Sequence, residues 1–218
     1  MTEMKLSNIV AGNLENLSFD ITRKGLYGII GRNGAGKSTL FTLINGEMKL
    51  KSGKISGFNR SAYVPNLAIF DENLTAQDYI LTLSKDEQEK ATAMIQDFAA
   101  NSFVNKKIKT YSLGMKEIFA FIMTLSISSD LVIVDELMNG MDYGMRKLAF
   151  GYLKSISQEK IVLLTSHILE EVYQNSDKIY LLNDSKLAEM PSLEVAKDIM
   201  QKNKAFVYQV YIDTINVE

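Results

Sequence analysis

The stretch Gly31-Arg32-Asn33-Gly34-Ala35-Gly36-Lys37-Ser38-Thr39 fits the pattern G-x-x-x-x-G-K-[ST]. More than any other segment, it limits what this chain can fold into. The pattern works only where a buried strand hands over to a helix, and the flanks supply both. Leu26 to Ile30 is an apolar run that reads as a strand, and Lys37 through Leu43 suits the first turns of a helix. A chain of 218 residues would carry the pattern by chance with a probability on the order of one per cent.

The residue types suit a triphosphate, which needs many donors at short range. Gly31, Gly34 and Gly36 let the backbone curl so that successive N–H groups point inward, with Asn33 and Ala35 between them. The helix beginning near Lys37 adds the positive end of its dipole. In this motif the Lys37 ammonium reaches the β- and γ-phosphates, the Ser38 hydroxyl is a Mg²⁺ ligand, and Thr39 completes the loop.

Composition narrows the remaining classes. An apolar content of 46% is ample for a core, and a net charge of −2 gives no global pull toward nucleic acid. With no cysteine in the chain, disulfides and thiolate metal sites are excluded. No apolar run reaches the ~18–20 residues of a spanning helix, and the first residues lack a signal-like apolar stretch. The expectation is therefore a soluble chain whose membrane role, if it has one, runs through a partner.

Strand-like runs at Met4 to Val10, Leu17 to Ile21 and Leu26 to Ile30 lead to the glycine-rich loop, with turns expected around 12–16 and 24–25. Asn45-Gly46 closes the first helix. Lys51-Ser52-Gly53-Lys54 reads as a turn, followed by short strands around 54–56 and 61–64. From Leu74 to about Thr124 the spacing turns helical, with segments at 75–83, 86–100 and 113–128. Strand character returns at Leu131 to Val134 and over Lys160 to Thr165, with helices near 143–157 and 168–175 between and after. A strand at Lys178 to Leu182, a turn at Asn183-Asp184, a helix over 192–203 and a strand over 205–217 finish the chain. Continuous apolar strands alternating with helices predict an α/β fold with a mostly parallel sheet. An antiparallel β portion precedes the glycine-rich loop, and a helical portion is inserted after it.

Ligands in open parallel sheets bind beyond the carboxyl ends of the strands. Two further strand ends carry suitable groups. Asp135 follows four apolar residues and can hold Mg²⁺ directly or through water; Glu136 can polarise an attacking water as general base. Two acids at a strand end also read as plain solvation. His167, the only histidine in the chain, follows Thr165-Ser166 at the end of an apolar strand, where γ-phosphate contacts belong.

In order and spacing these motifs resemble the nucleotide-binding subunit of ABC transporters over nearly the whole chain. The resemblance is carried by residues 31–39, Tyr111-Ser112-Leu113-Gly114-Met115-Lys116, Leu131 to Glu136, Asn139-Gly140-Met141-Asp142 and Thr165-Ser166-His167. In isolation Ser112 would read simply as a helix N-cap. The resemblance implies a P-loop NTPase core (1–65 and 130–190, with the β subdomain), a helical subdomain (66–129) and a C-terminal helix and strand (191–218) in one domain. It implies ATP and Mg²⁺ as ligands, and two subunits that sandwich ATP head to tail. Ser112 and the Gly114 backbone would then meet the γ-phosphate bound by the other subunit. Asn139 to Asp142 would cross the interface, and His167 would contact the γ-phosphate. The surface near 70–80 would receive a coupling helix from the membrane subunit. Asn66 stands where the family has glutamine, as a shorter candidate Mg²⁺ contact. Leu113 and Met115 replace the usual glycine and glutamine, as in the branch that includes drug and peptide-antibiotic exporters. An aliphatic segment, Asn8-Ile9-Val10-Ala11, stands where an aromatic normally stacks on adenine.

The implied function is ATP hydrolysis that powers transport, in the direction of export, at the cytoplasmic face of the membrane through a membrane-spanning partner. The second ATPase subunit is read as a copy of this chain, and nucleic acid is not an expected partner. The alternative class is an ATP-gated interaction module that moves no solute, as in relatives acting in translation, repair or assembly. Those often carry two ATPase halves or a coiled-coil insertion, and this chain has neither. Lys37→Ala is expected to abolish phosphate binding, measured as loss of saturable binding of a fluorescent ATP analogue.

Overall fold

Gly25–Ile30 (β3) has six successive buried residues, and the way it buries both faces organises the rest of the chain. The computed structural model describes residues 3–201. Its main sheet has six strands in the order β5-β6-β7-β3-β8-β9. They are Ser61–Tyr63 (β5), Leu131–Asp135 (β6), Ile161–Thr165 (β7), β3, Lys178–Asn183 (β8) and Lys186–Glu189 (β9). All pairings are parallel except β8 with β9.

Side chains along a strand alternate between faces, and here both faces are covered. Leu26, Ile30, Val132, Val134, Val162 and Leu164 join one apolar cluster with Phe98, Phe119 and Phe121 from the helical segment. Tyr27, Ile29, Leu131, Ile133, Ile161 and Leu163 join a second cluster on the other side. That side is built from Lys37–Ile44 (α1) and a separate antiparallel sheet in the order β2-β1-β4, formed by Met4–Ala11 (β1), Leu14–Ile21 (β2) and Ser52–Ser56 (β4). Double burial explains why β3, β6 and β7 are apolar throughout rather than alternating.

The helical segment follows β5. Leu67–Ile69 and Ala100–Ser102 and Ile108–Thr110 are single 3₁₀ turns, and the α-helices are Ala76–Ile80 (α2), Lys85–Asp97 (α3) and Leu113–Ser126 (α4). α3 stops at Asp97 because Ala99 takes a left-handed conformation, φ +51°. From Ile118 onward α4 is buried on every side. Its Thr124 and Ser126 hydroxyls donate to the carbonyls of Ala120 and Ile122, four residues back, which satisfies them without an outside partner. Tyr143–Ser157 (α5), Leu169–Asn175 (α6) and Leu193–Gln201 (α7) complete the described chain.

Three expectations need correction. Residues 51–54 are not a turn: β4 begins at Ser52 and pairs with β1. Gly53 (φ +98°) faces a register shift beside Asn8 (φ +50°), and a Cβ on Gly53 would lie 2.5 Å from the Asn8 carbonyl oxygen. The bulge is on β1, where Asn8 and Ile9 stand opposite the single residue Gly53, and composition alone does not distinguish a glycine that faces a bulge from a turn glycine. The turn expected around 12–16 is shorter, since β2 already starts at Leu14. Strand β9 was not expected at all. Its hairpin turns on Asp184 and Ser185, both left-handed and neither glycine, so the usual sequence signal is missing. The end of the 192–203 helix and the strand over 205–217 lie outside the described residues.

Glu87, near the start of α3, ties the helical segment together. One oxygen accepts from Ser128 N at 2.7 Å, just past α4, and the other from the N–H (3.0 Å) and hydroxyl (2.9 Å) of Ser84. The Ser128 and Ser84 amides hold its carboxyl down, from 4.5 to about 2. Because the folded-state value is depressed, this contribution is present above pH 4.5 and is lost as pH falls toward 2. Glu87→Ala should cost about 1.5–3 kcal/mol, the range for hydrogen bonds to a charged group. That should appear as a melting temperature lower by about 5–10 °C at pH 7, with a smaller difference from wild type at pH 3.

Candidate functional site

In the order β6-β7-β3 three parallel strands end side by side, and the groups at their carboxyl ends meet. The P-loop follows β3. Gly34 (φ +83°) and Gly36 (φ +103°) supply its left-handed turns. Gly31 does not have a left-handed conformation; it is small because a Cβ there would lie 2.7 Å from the Leu182 carbonyl oxygen of β8. Gly36 is also the N-cap of α1 and makes no side-chain cap, which leaves the first amides of the helix free to meet an anion. Lys37 Nζ donates to the carbonyl oxygens of Gly31 (2.7 Å) and Arg32 (3.3 Å), at the mouth of the loop.

A cleft of about 500 Å³ is lined by Asn33, Gly34, Gly36, Lys37, Ser38, Thr39, Asp135 and Glu136, with Asn13 and Pro65 at its rim. A smaller cavity of about 130 Å³ adjoins it and shares Asn33, Lys37 and Glu136; it adds Gly31, Thr165, Ser166 and His167. At the floor of the cleft Ser38 Oγ and Asp135 Oδ2 stand 3.4 Å apart. Two hard oxygens at this spacing suit Mg²⁺, a cation that takes its other ligands from phosphate and water. Among the described residues no group of three or more acidic or histidine side chains could hold a metal alone.

Asp135 is held from both sides. Thr165 Oγ1 donates to Oδ1 at 2.6 Å, and Tyr63 OH, from the end of β5, donates to Oδ2 at 3.2 Å. Burial, and then the Asp135 charge, push the Tyr63 phenol well above its ordinary value, so it remains a donor. Glu136 has φ +58°. A left-handed non-glycine residue costs roughly 1–2 kcal/mol. Its N–H is fixed by Thr165, through Oγ1 at 3.0 Å and the carbonyl oxygen at 3.3 Å. The turn carries the Glu136 carboxylate over the cleft, where Oε2 lies 3.1 Å from His167 Nε2. The base and switch residues expected from sequence are thus in contact.

Not every expected site residue enters the cleft. Asn66 is exposed, and its Oδ1 accepts from Ala68 N at 2.9 Å, capping the 3₁₀ turn that follows β5. Ser112 caps α4, accepting from Met115 N at 3.3 Å, and neither it nor Gly114 lines either cavity. Gly114 instead packs against the loop 139–142: a Cβ there would lie 2.8 Å from the Gly140 carbonyl oxygen. That loop is fastened at three points. Gly140 N donates to Glu117 Oε2 of α4 at 2.6 Å, Arg146 donates to the Met141 carbonyl, and Asp142 Oδ1 caps α5 through Met145 N at 2.9 Å. Arg146 Nε also reaches both oxygens of Glu171 on α6, at 3.0 and 3.1 Å. Burial raises the Glu117 carboxyl above its usual value.

Sequence reasoning missed Thr165, Tyr63, Asn13 and Glu117. Asn13 Nδ2 donates to the Gly34 carbonyl oxygen at 2.7 Å and pins the β1–β2 hairpin to the P-loop. Thr165 alone carried a signal: a polar residue ends an apolar strand beside the strand that bears Asp135. The others act across the fold and leave no local pattern.

Residues 14–139 match the family described as ABC transporter. The uncharacterized ABC transporter ATP-binding protein YcbN of Bacillus subtilis is 30% identical over 213 residues, covering 89% of this chain and 68% of that protein. The bacitracin transport ATP-binding protein BcrA of Bacillus licheniformis is 26% identical, covering 81% and 64%. The chain thus spans about two thirds of the length of these relatives. A dimeric ATP-binding cassette in a post-hydrolysis state, bound to ADP and phosphate, shares the fold with a TM-score of 0.73 at 19% identity, over 86% of this chain and 97% of its own.

Gly114→Ala is expected to push the loop 139–142 off α4, since the clash is with backbone. Overpacking of this kind costs about 1–3 kcal/mol. Thermal unfolding should show a melting temperature lower by several degrees.

Proposed function

The chain belongs to the ABC transporter family as an ATPase subunit, and on that basis we propose that it hydrolyses Mg²⁺-bound ATP to drive export of a solute through a separate membrane-spanning chain. One observation carries the reading: Lys37 at the start of α1, and Asp135, Glu136 and His167 at or just past the ends of β6 and β7, line two adjoining cavities that share Lys37 and Glu136. Phosphate chemistry needs donors for the oxygens, a base for water and a group that senses the γ-phosphate. These residues supply all three.

The P-loop amides and Lys37 hold the phosphates, and Lys37 exchanges the Gly31 and Arg32 carbonyls for phosphate oxygens. Ser38 and Asp135 Oδ2 are the residues that would hold Mg²⁺, which supplies charge neutralisation when bound. Glu136 accepts a proton from water as its oxygen attacks the γ-phosphorus; the bond to the ADP oxygen breaks, and ADP and phosphate leave. His167, 3.1 Å from the Glu136 carboxylate, orients the base and reports the γ-phosphate.

Ser112 and Gly114 lie outside this cleft, which supports a role toward a second copy of the chain. Leu113 and Tyr143, 60% and 71% exposed, are apolar surface at the start of α4 and beside the loop 139–142, consistent with a face that a partner covers. Ile69, Leu74 and Leu81 are likewise exposed on the helical segment and offer an apolar seat for the membrane chain. Among the described residues no helix is long and apolar enough to cross a membrane. Assembly at the cytoplasmic face follows from this reading. Export is favoured by the likeness, at 27% identity, to a teichoic acids export ATP-binding protein of Bacillus cereus and by the Ser-Leu-Gly-Met-Lys form of residues 112–116. Asn66, committed to its cap, is left with at most a role through water.

Glu136→Gln should keep ATP affinity while turnover falls by roughly a hundredfold or more, the usual contribution of a general base. An ATP-bound pair of subunits should accumulate, visible by size-exclusion chromatography. Unchanged turnover would remove Glu136 from the role of base.

A further inference from the structure

We infer that Thr165 is the positioning residue that sets both carboxylates of the site, Asp135 and Glu136, against the P-loop. The inference rests on the ATPase reading above. Thr165 is the last residue of β7, in register with Asp135 on β6, and is 3% exposed. In the sheet order β7 lies between β6 and β3, so this one side chain stands between the carboxylate strand and the strand that leads into the P-loop.

Its hydroxyl has no freedom of orientation. The Glu136 N–H can only donate and the Asp135 carboxylate only accept, so the single proton of Oγ1 goes to Asp135 Oδ1 (2.6 Å) while a lone pair takes Glu136 N (3.0 Å). Two consequences follow. Oδ1 is occupied, and the oxygen left beside Ser38 is Oδ2, which Tyr63 steadies from the far side. The second concerns Glu136, whose left-handed backbone (φ +58°) persists only while its surroundings hold it. The amide of that residue is the group Thr165 binds. One hydroxyl therefore takes up Asp135 Oδ1, leaving Oδ2 beside Ser38, and makes the shorter of the two bonds that hold the Glu136 amide, the other being to the Thr165 carbonyl oxygen at 3.3 Å. A valine would fill the same volume and pack as well in the apolar strand, yet would make neither bond.

The test uses the full chain with T165V and T165S. Three quantities are read: equilibrium binding of a fluorescent ATP analogue with Mg²⁺ and with EDTA, steady-state turnover, and melting temperature. Groups that orient metal ligands typically carry ten- to a hundredfold in metal affinity or activity. T165V is accordingly expected to lose roughly tenfold or more in turnover and in the Mg²⁺-dependent gain in binding, with EDTA binding within about twofold of wild type. T165S, which keeps the hydroxyl, should stay within about threefold throughout. If T165V does not fold, T165A removes the same hydroxyl and is held to the same thresholds. The inference is overturned if T165V, or T165A in its place, matches wild type in turnover and Mg²⁺-dependent binding. It is equally overturned if T165S is as impaired as T165V, because packing would then explain the loss. A wild-type chain with neither Mg²⁺-dependent ATP binding nor turnover overturns the ATPase reading itself, which distinguishes the two failures.

Discussion

The parallel pairing of β6, β7 and β3 brings Asp135, Thr165 and the P-loop to one edge of the sheet, and the chemistry of the site depends on that alignment. Each of the three strands is buried on both faces, so each must be apolar along its length. Polar groups are then admitted only at the ends, where the strands emerge. At the carboxyl edge these ends gather within hydrogen-bond range of one another: Ser38 with Asp135, Asp135 with Thr165, and Glu136 with Thr165 and His167. A register slip of one residue in β7 would turn the Thr165 side chain to the other face and break both of its bonds.

The site stores local strain that the scaffold offsets. Gly34, Gly36 and Glu136 all take left-handed conformations around one cleft. The glycines adopt them at no steric cost, whereas Glu136 does not. Its position is over-determined by the Thr165 hydroxyl and carbonyl, and Asn13 does related work for the P-loop by binding the Gly34 carbonyl from the β1–β2 hairpin. The antiparallel sheet is thus joined to the phosphate loop by a direct contact as well as by the apolar cluster they share.

A second set of contacts links the cleft to the surface residues proposed to face another subunit. Glu117 on α4 holds Gly140, Arg146 on α5 holds Met141, and Arg146 also pairs with Glu171 in the first turn of α6, the helix that follows the strand ending in Thr165. The loop 139–142 therefore cannot move without disturbing the start of α4, the start of α5 or α6. Its tight seat on Gly114 makes the coupling steric as well as polar.

The sequence by itself determined the strand–loop–helix and the α/β alternation, and it pointed to Lys37, Ser38, Asp135, Glu136 and His167 as candidates for the site proposed here. These are legible because each is local: a glycine pattern, or a polar residue ending an apolar run. The bulge opposite Gly53 was not legible, since a glycine facing a bulge resembles a turn glycine; at Asn183-Asp184 the turn was legible but the short returning strand β9 was not. Asn66 looked like a site residue by position, but its amide is used by the Ala68 backbone. Only the tertiary structure decided that β7, last of the three in sequence, lies between the other two. That placement made Thr165 a shared hydrogen-bond partner of both acids, because strand order is set by packing over the whole sheet and leaves no trace in any short stretch of chain.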